Sequence, residues 1–136
     1  MSGEPKAQPR MRHYRRGNFV GGYTPPSADG WKVACAVAAH DAVGKPWTEP
    51  IRLALWFRLP RPASHLCKSG ALRKGAPLRP CGKPDLDNLA KAVMDALNRI
   101  AFNDDAQVVE LILGKEYAPH REQAGCIVTM EQVDAE

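Results

Sequence analysis

The chain is 136 residues long, which gives room for one domain built around one hydrophobic core. With 44% hydrophobic and 25% charged residues, its composition is that of a soluble globular protein rather than a disordered one. The formal net charge is +4, and no apolar run approaches the roughly 20 residues that cross a bilayer, so neither a membrane span nor an acidic protein is expected.

In chain order, residues 1–9 are polar, contain Pro5 and Pro9, and are expected to form a disordered lead-in to a domain over 10–136. Residues 10–23 mix arginine with aromatics and end in Gly21-Gly22, the pattern of a hairpin or arm that tracks a phosphate backbone. Ser27 follows a Pro25-Pro26 break and is the expected N-cap of a helix over 28–42, closed by Gly44 and Pro46. The clearest strand is 50–59: Ile51, Leu53, Leu55, Phe57 and Leu59 alternate with Arg52, Trp56 and Arg58. Residues 60–84 have no hydrophobic periodicity and several prolines and glycines, and a loop that long is usually functional or disordered. The best helix is 88–100, where Leu89, Ala92, Val93, Ala96, Leu97 and Ile100 share one face. Strands are expected at 107–115 and 125–133, as antiparallel neighbours.

Charge is segregated along the chain. Residues 5–28 contain no acid and carry Lys6, Arg10, Arg12, Arg15 and Arg16. Residues 50–84 contain none and carry Arg52, Arg58, Arg61, Lys68, Arg73, Lys74, Arg79 and Lys83. Of the 15 Asp and Glu, only Glu4, Asp29, Asp41 and Glu49 precede Asp85. Clustered cations raise the local potential well above what net charge implies and suit a polyanionic partner; two solvated basic loops are the plainer alternative. The cysteines, at 35, 67, 81 and 126, form no CxxC pair, which argues against a zinc ribbon or redox motif. Cys35 and Cys126 read as buried thiols, and a Cys67–Cys81 disulfide is improbable in a reducing compartment.

The run Lys83-Pro84-Asp85-Leu86-Asp87-Asn88-Leu89 carries the chemistry. Pro84 favours an extended Lys83, and alternation from there puts the Asp85 and Asp87 carboxylates on one side. Two such oxygen ligands suit Mg²⁺ or Mn²⁺, and Mg²⁺ needs only one or two carboxylates beside water and phosphate. A third carboxylate would come from Asp104 or Asp105. Lys91, four residues after Asp87, would supply positive charge at a scissile phosphate. Taken singly, Asp85 and Asp87 are equally readable as helix caps, and Lys91 as an i,i+4 ion pair with Asp87 or Asp95.

The whole stretch 83–108, KPDLDNLAKAVMDALNRIAFNDDAQV, resembles the signature of RusA-like endodeoxyribonucleases. Asp85, Asp87, Asn88, Leu89 and Lys91 match its DxDNLxK element, Asp95, Ala96 and Leu97 its DAL, and Asp104, Asp105, Gln107 and Val108 its DDxQV. Pro9-Arg10-Met11-Arg12 and Tyr23-Thr24-Pro25 are similar to the PRPR…YTP segment of phage-type members. The resemblance implies metal-binding catalytic roles for Asp85, Asp87 and Asp105, a functional role for Lys91, and a homodimer that nicks four-way DNA junctions with Mg²⁺ or Mn²⁺. Two departures stand out: Arg99 occupies a position where many members have Gly, and the 60–84 loop is long and basic.

The expected fold is α+β, a mixed sheet with two packed helices in a single small domain. The expected function is Mg²⁺-dependent resolution of Holliday junctions by paired nicks, in the recombination and repair of DNA in a bacterial or phage-infected cytoplasm. Arg10, Arg12, Arg15, Arg16, Arg73, Lys74 and Lys83 are the expected DNA-binding residues, gripping backbone rather than reading bases. Trp47, Trp56 and the apolar edges of the strands offer material for a dimer interface, or else complete the monomer core. The alternatives are a catalytically silent DNA-binding protein, which the intact Asp85, Asp87, Asp105 and Lys91 argue against, and a metal-dependent enzyme for small phosphate esters, which would not need two basic segments.

Overall fold

A computed structural model describes residues 1–133. In chain order these form strands β1 (Arg12–Arg16) and β2 (Phe19–Tyr23), helix α1 (Asp29–Val43), strand β3 (Ile51–Leu59), helix α2 (Leu86–Leu97), and strands β4 (Val108–Tyr117) and β5 (Gly125–Gln132). The result is an α+β fold with a mixed sheet and two helices, as the sequence implies.

Strand β3 organises the core. Its alternation is strict, with Ile51, Leu53, Leu55, Phe57 and Leu59 all buried. Each such side chain contributes about 1.5–3 kcal/mol through burial, so this one face anchors the domain. Both helices supply the opposing layer. Trp31, Cys35 and Ala39 come from α1, and Leu89, Ala90, Ala92, Val93 and Leu97 from α2. Helix α1 ends at Gly44, whose φ of 78° suits glycine and whose amide donates to the His40 carbonyl at 2.9 Å.

The sheet order is β4-β3-β5, with β3 parallel to β4 and antiparallel to β5. This corrects the expectation that β4 and β5 are neighbours: β3, buried on one face, lies between them. A parallel partner requires a crossover, and α2 provides it by packing on the sheet between β3 and β4.

Other local expectations shift for identifiable reasons. Ser27 does not cap α1. It is absorbed into a 3-10 turn, Pro26–Ala28, which runs straight into the helix and leaves Ala28 at the cap. Residues 1–9 are not loose: Gly3 N donates to Ala124 O at 3.0 Å, Cys126 N to Met1 O at 2.9 Å, and Pro5 is buried. The 60–84 loop is internally tied, with Arg61 Nη1 donating to Pro77 O at 2.7 Å and Arg73 Nε to Leu66 O at 2.9 Å. All four cysteines are free, Cys35 and Cys126 buried and Cys67 and Cys81 exposed.

The outer sheet face carries no helix. There Arg52 pairs with Glu110 on β4 and Glu131 on β5, and Arg58 pairs with Glu116 at 3.1 Å. Trp56 lies across Gly114, where a Cβ would fall 1.8 Å from the indole, and Ile112 and Ile127 on the same face are also exposed.

Candidate active site

Helix α2 starts at Leu86, so Asp85 is its N-cap residue and Asp87 lies in its first turn. The extended run expected for 83–87 therefore stops at Asp85, and the two carboxylates flank the first helical turn instead of alternating along a strand. The Asp85 carbonyl accepts from Leu89 N at 3.0 Å, but its side chain makes no capping hydrogen bond. Both carboxylates sit where unpaired amides and the helix dipole favour negative charge.

Among the described residues, neither Asp85 nor Asp87 has a cationic group within salt-bridge range, and Lys91 has no carboxylate within it. The plain readings of Lys91 as a partner of Asp87 or Asp95 are not realised. Asp95 pairs across the helix interface with Lys32 of α1, at 3.6 Å. Three exposed, unneutralised charges thus share the first two turns of α2: two acids and one base.

One residue that sequence reasoning passed over braces this region. Lys115, on β4, donates from Nζ to the carbonyls of Gly82 at 2.8 Å and Pro84 at 3.0 Å. Those carbonyls bracket Lys83 and lead directly into Asp85. The only sequence signal is a lysine in phase with Leu111 and Leu113, where alternation calls for an apolar side chain. Across the sheet it pairs in register with buried Phe57, so it stands on the helix-covered face. The N-terminal segment braces the other side, with Gln8 N donating to Asn88 O at 3.0 Å. The N-terminal segment and the chain entering α2 bound a cleft of about 740 Å³, lined by Glu4, Lys6, Arg10, Lys83, Asp85 and Tyr117 among others, with Lys6 paired to Glu4 at 3.4 Å. Arg10 and Lys83, both expected to bind DNA, thus line the same cleft as Asp85.

Asp104 and Asp105 sit elsewhere. Asp104 caps a 3-10 turn, Asp105–Gln107, accepting from Ala106 N at 3.0 Å, while its own amide donates to Gln107 Oε1 at 2.9 Å. Gln107 Nε2 then donates to the carbonyls of Trp47 and Glu49, at 2.9 and 3.0 Å. This reciprocal capping fixes the turn beside the start of β3. The Ala106 amide and the Asp105 side chain hold the Asp104 carboxyl below its ordinary range. Asp105 is raised, first by its hydrogen bond with Asp104, then by slight desolvation and the charges of Asp104 and Asp95.

The structure does not gather Asp85, Asp87 and Asp105 into one ligand set; among the described residues no three His, Cys, Asp or Glu side chains group around a common metal position. The crossover explains why. Asp85 lies with Leu59 and Tyr117 at the ends of β3 and β4, whereas Asp105 lies at their beginnings. Helix α2, 12 residues and so about 18 Å long at 1.5 Å per residue, runs between the two ends.

The remaining expected DNA contacts are distributed over the surface. Arg12, Arg15 and Arg16 project from the β1–β2 hairpin, and Arg73 and Lys74 from the long loop, all of them exposed. No helix among the described residues is long and apolar enough to cross a membrane.

A family model described as endodeoxyribonuclease RusA matches residues 2–130. The chain is also similar to an uncharacterized protein, YqaN, of Bacillus subtilis (strain 168). The two are 34% identical over 119 residues, which cover 85% of this chain and 84% of the relative.

Proposed function

Because this chain belongs to the RusA family of endodeoxyribonucleases, we propose that it resolves four-way DNA junctions by Mg²⁺-dependent paired nicking, in recombination and repair. The observation that carries the reading is the head of α2, where Asp85 and Asp87 are exposed and unneutralised within two turns of an equally unpaired Lys91. Hard carboxylate oxygens fit Mg²⁺, with Mn²⁺ as a substitute, and two of them suffice beside water and a substrate phosphate. When bound, the ion supplies an activated water and charge neutralisation for phosphodiester hydrolysis.

The chain's own groups divide the remaining work. Lys91 places a cation against the scissile phosphate as charge builds on its oxygens. Arg10 and Lys83 hold the strand in the cleft beside Asp85. Arg12, Arg15, Arg16, Arg73 and Lys74 grip more distant backbone, which positions the duplex arms without reading sequence.

Asp105 would join this set from a second chain, because its own Asp85 and Asp87 lie at the opposite end of the sheet. A two-fold homodimer would place Asp85 and Asp87 of one protomer near Asp105 of its partner, giving two sites for two strands. The helix-free sheet face, with Trp56, Ile112 and Ile127 between ion pairs, offers an interface for such a dimer. In this reading the enzyme works in the cytoplasm of a bacterium or of a phage-infected cell.

Asp87→Asn tests the assignment, since it keeps size and removes one ligand charge. Nicking of a synthetic four-way junction should vanish while gel-shift affinity stays equal or rises. Loss of affinity together with nicking would make Asp87 a structural residue.

A further inference from the structure

The β1–β2 hairpin carries more than arginines. Its register pairs Arg12 with Tyr23, Tyr14 with Gly21 and Arg16 with Phe19. Directly paired residues in an antiparallel ladder project to the same side, so one face bears Tyr14, Phe19 and Tyr23 together with Arg12 and Arg16. Tyr14 lies across the ribbon over Gly21, where a Cβ would fall 2.6 Å from the phenol ring. The Phe19 and Tyr23 rings flank it with centroids at 6.2 and 6.5 Å, and the Arg16 guanidinium sits 5.8 Å from the Tyr14 centroid.

No other element among the described residues covers this face. The two strands contact chiefly each other, and Tyr14, Phe19 and Tyr23 remain 42%, 61% and 49% exposed. Soluble domains seldom leave contiguous aromatic surface in water without a binding use for it. Chemistry narrows the occupant. Residues 5–28 contain no acid, so a second copy of the hairpin would bring like charges face to face. Aromatic rings framed by guanidinium groups instead match a nucleotide with an exposed base face, the rings taking the base and the arginines its phosphates.

We infer that this hairpin face is a stacking platform for unpaired DNA bases, such as those at the branch point of a junction. The inference rests on the reading of the chain as a DNA enzyme and adds a source of discrimination to it. In a linear duplex the bases are stacked on one another and offer the platform nothing, so the hairpin would grip its backbone alone. At a branch point or in a single strand the bases are free, and each one stacked adds affinity.

The test is binding in the presence of EDTA, which separates it from cleavage. The full-length protein is titrated against a four-way junction carrying 2-aminopurine at the branch, and against a linear duplex carrying the same base internally. The wild-type chain should change the probe's fluorescence only in the junction. The Tyr14→Leu/Phe19→Leu/Tyr23→Leu variant keeps apolar bulk and all the charge but removes the rings. It should lose about tenfold or more of the preference for junction over duplex, the scale of losing one stacked base, with duplex affinity changed less than about threefold. Phe19→Leu alone, beside the turn, should show a smaller loss of the same sign, which guards against a triple variant that merely unfolds the hairpin. An unchanged preference in both variants overturns the inference. So does a fall in the protein's oligomeric state in sedimentation, which would assign the face to contacts between copies. Failure of the nuclease reading appears separately, as a wild-type chain that binds junctions in this way but never nicks them when Mg²⁺ is added.

Discussion

Lys115→Met isolates what the lysine clamp does for Asp85. The substitution keeps an unbranched apolar stem against Phe57 and deletes two bonds, to Gly82 O at 2.8 Å and Pro84 O at 3.0 Å. A hydrogen bond from a charged donor is worth about 1.5–3 kcal/mol when well shielded. One of these two is solvent-exposed, so together they are credited with about 2 kcal/mol, the lower part of that scale. That energy acts on the loop and not on the core, because the lysine reaches outward from the sheet to the chain entering α2. At about 1.4 kcal/mol per decade, up to about thirtyfold of the correctly placed Asp85 segment is lost. Nicking rate at limiting Mg²⁺ should fall by up to that factor and recover partly as Mg²⁺ is raised. Junction affinity should stay within about threefold, since no contact with phosphate is removed, and Lys115→Arg should rescue most of the loss. Wild-type nicking at every Mg²⁺ concentration would refute the reasoning. A collapse in melting temperature would do so as well, by showing that Lys115 supports the fold and not the site.

Other perturbations follow from the same geometry. Burial pushes the Cys35 and Cys126 thiols up to about 12, so at pH 8 almost no thiolate forms there; a thiol reagent should titrate Cys67 and Cys81 quickly and the other two only after denaturation. Arg99 holds a φ of 67°, which costs a side chain energy that glycine avoids. Arg99→Gly should raise stability by about 0.5–1 kcal/mol in urea titration, the release of left-handed strain less the entropy glycine adds to the unfolded chain. Replacing Arg73 and Lys74 by alanine should flatten the log–log salt dependence of junction affinity by up to about 1.8, roughly 0.9 per phosphate contact, and an unchanged slope would move the DNA path off the long loop. Mixing Asp87→Asn with Asp105→Asn chains, each inactive alone, should restore nicking of one strand per heterodimer if the site is shared between protomers; a silent mixture of chains shown to exchange would confine the site to one.

Much of the scaffold was legible because burial imposes a period. The alternation of Ile51 through Leu59 located β3 to within a residue, and the 3.6-residue spacing over 88–100 located α2, which begins two residues earlier, at Leu86, and ends three earlier, at Leu97. What the period does not encode is which strands meet. The place of β3 between β4 and β5 depends on pairings between residues more than fifty positions apart, as Leu55 with Leu113 and with Val128. The site divided in the same way. Local spacing put Asp85, Asp87 and Lys91 around one helix start, but the direction of the crossover carried Asp105 to the opposite end of the sheet. The grip of Lys115 on Gly82 and Pro84 is a contact between distant segments that no local pattern announces. The docking of residues 1–9 is equally hidden, since their polar, proline-bearing composition gives no sign of the hydrogen bonds to Asn88, Ala124 and Cys126.

A metal-dependent endonuclease working through the carboxylates at the head of α2 must cut branched DNA and spare a linear duplex. Incubating the purified chain with a synthetic four-way junction, and with a linear duplex of the same arm sequence, in Mg²⁺ and in EDTA, tests it most directly. Paired nicks are expected in opposite strands of the junction with Mg²⁺, none in the duplex, and none in either with chelator. Equal cutting of both DNAs, cutting that persists in EDTA, or no cutting of the junction at any Mg²⁺ concentration would contradict it.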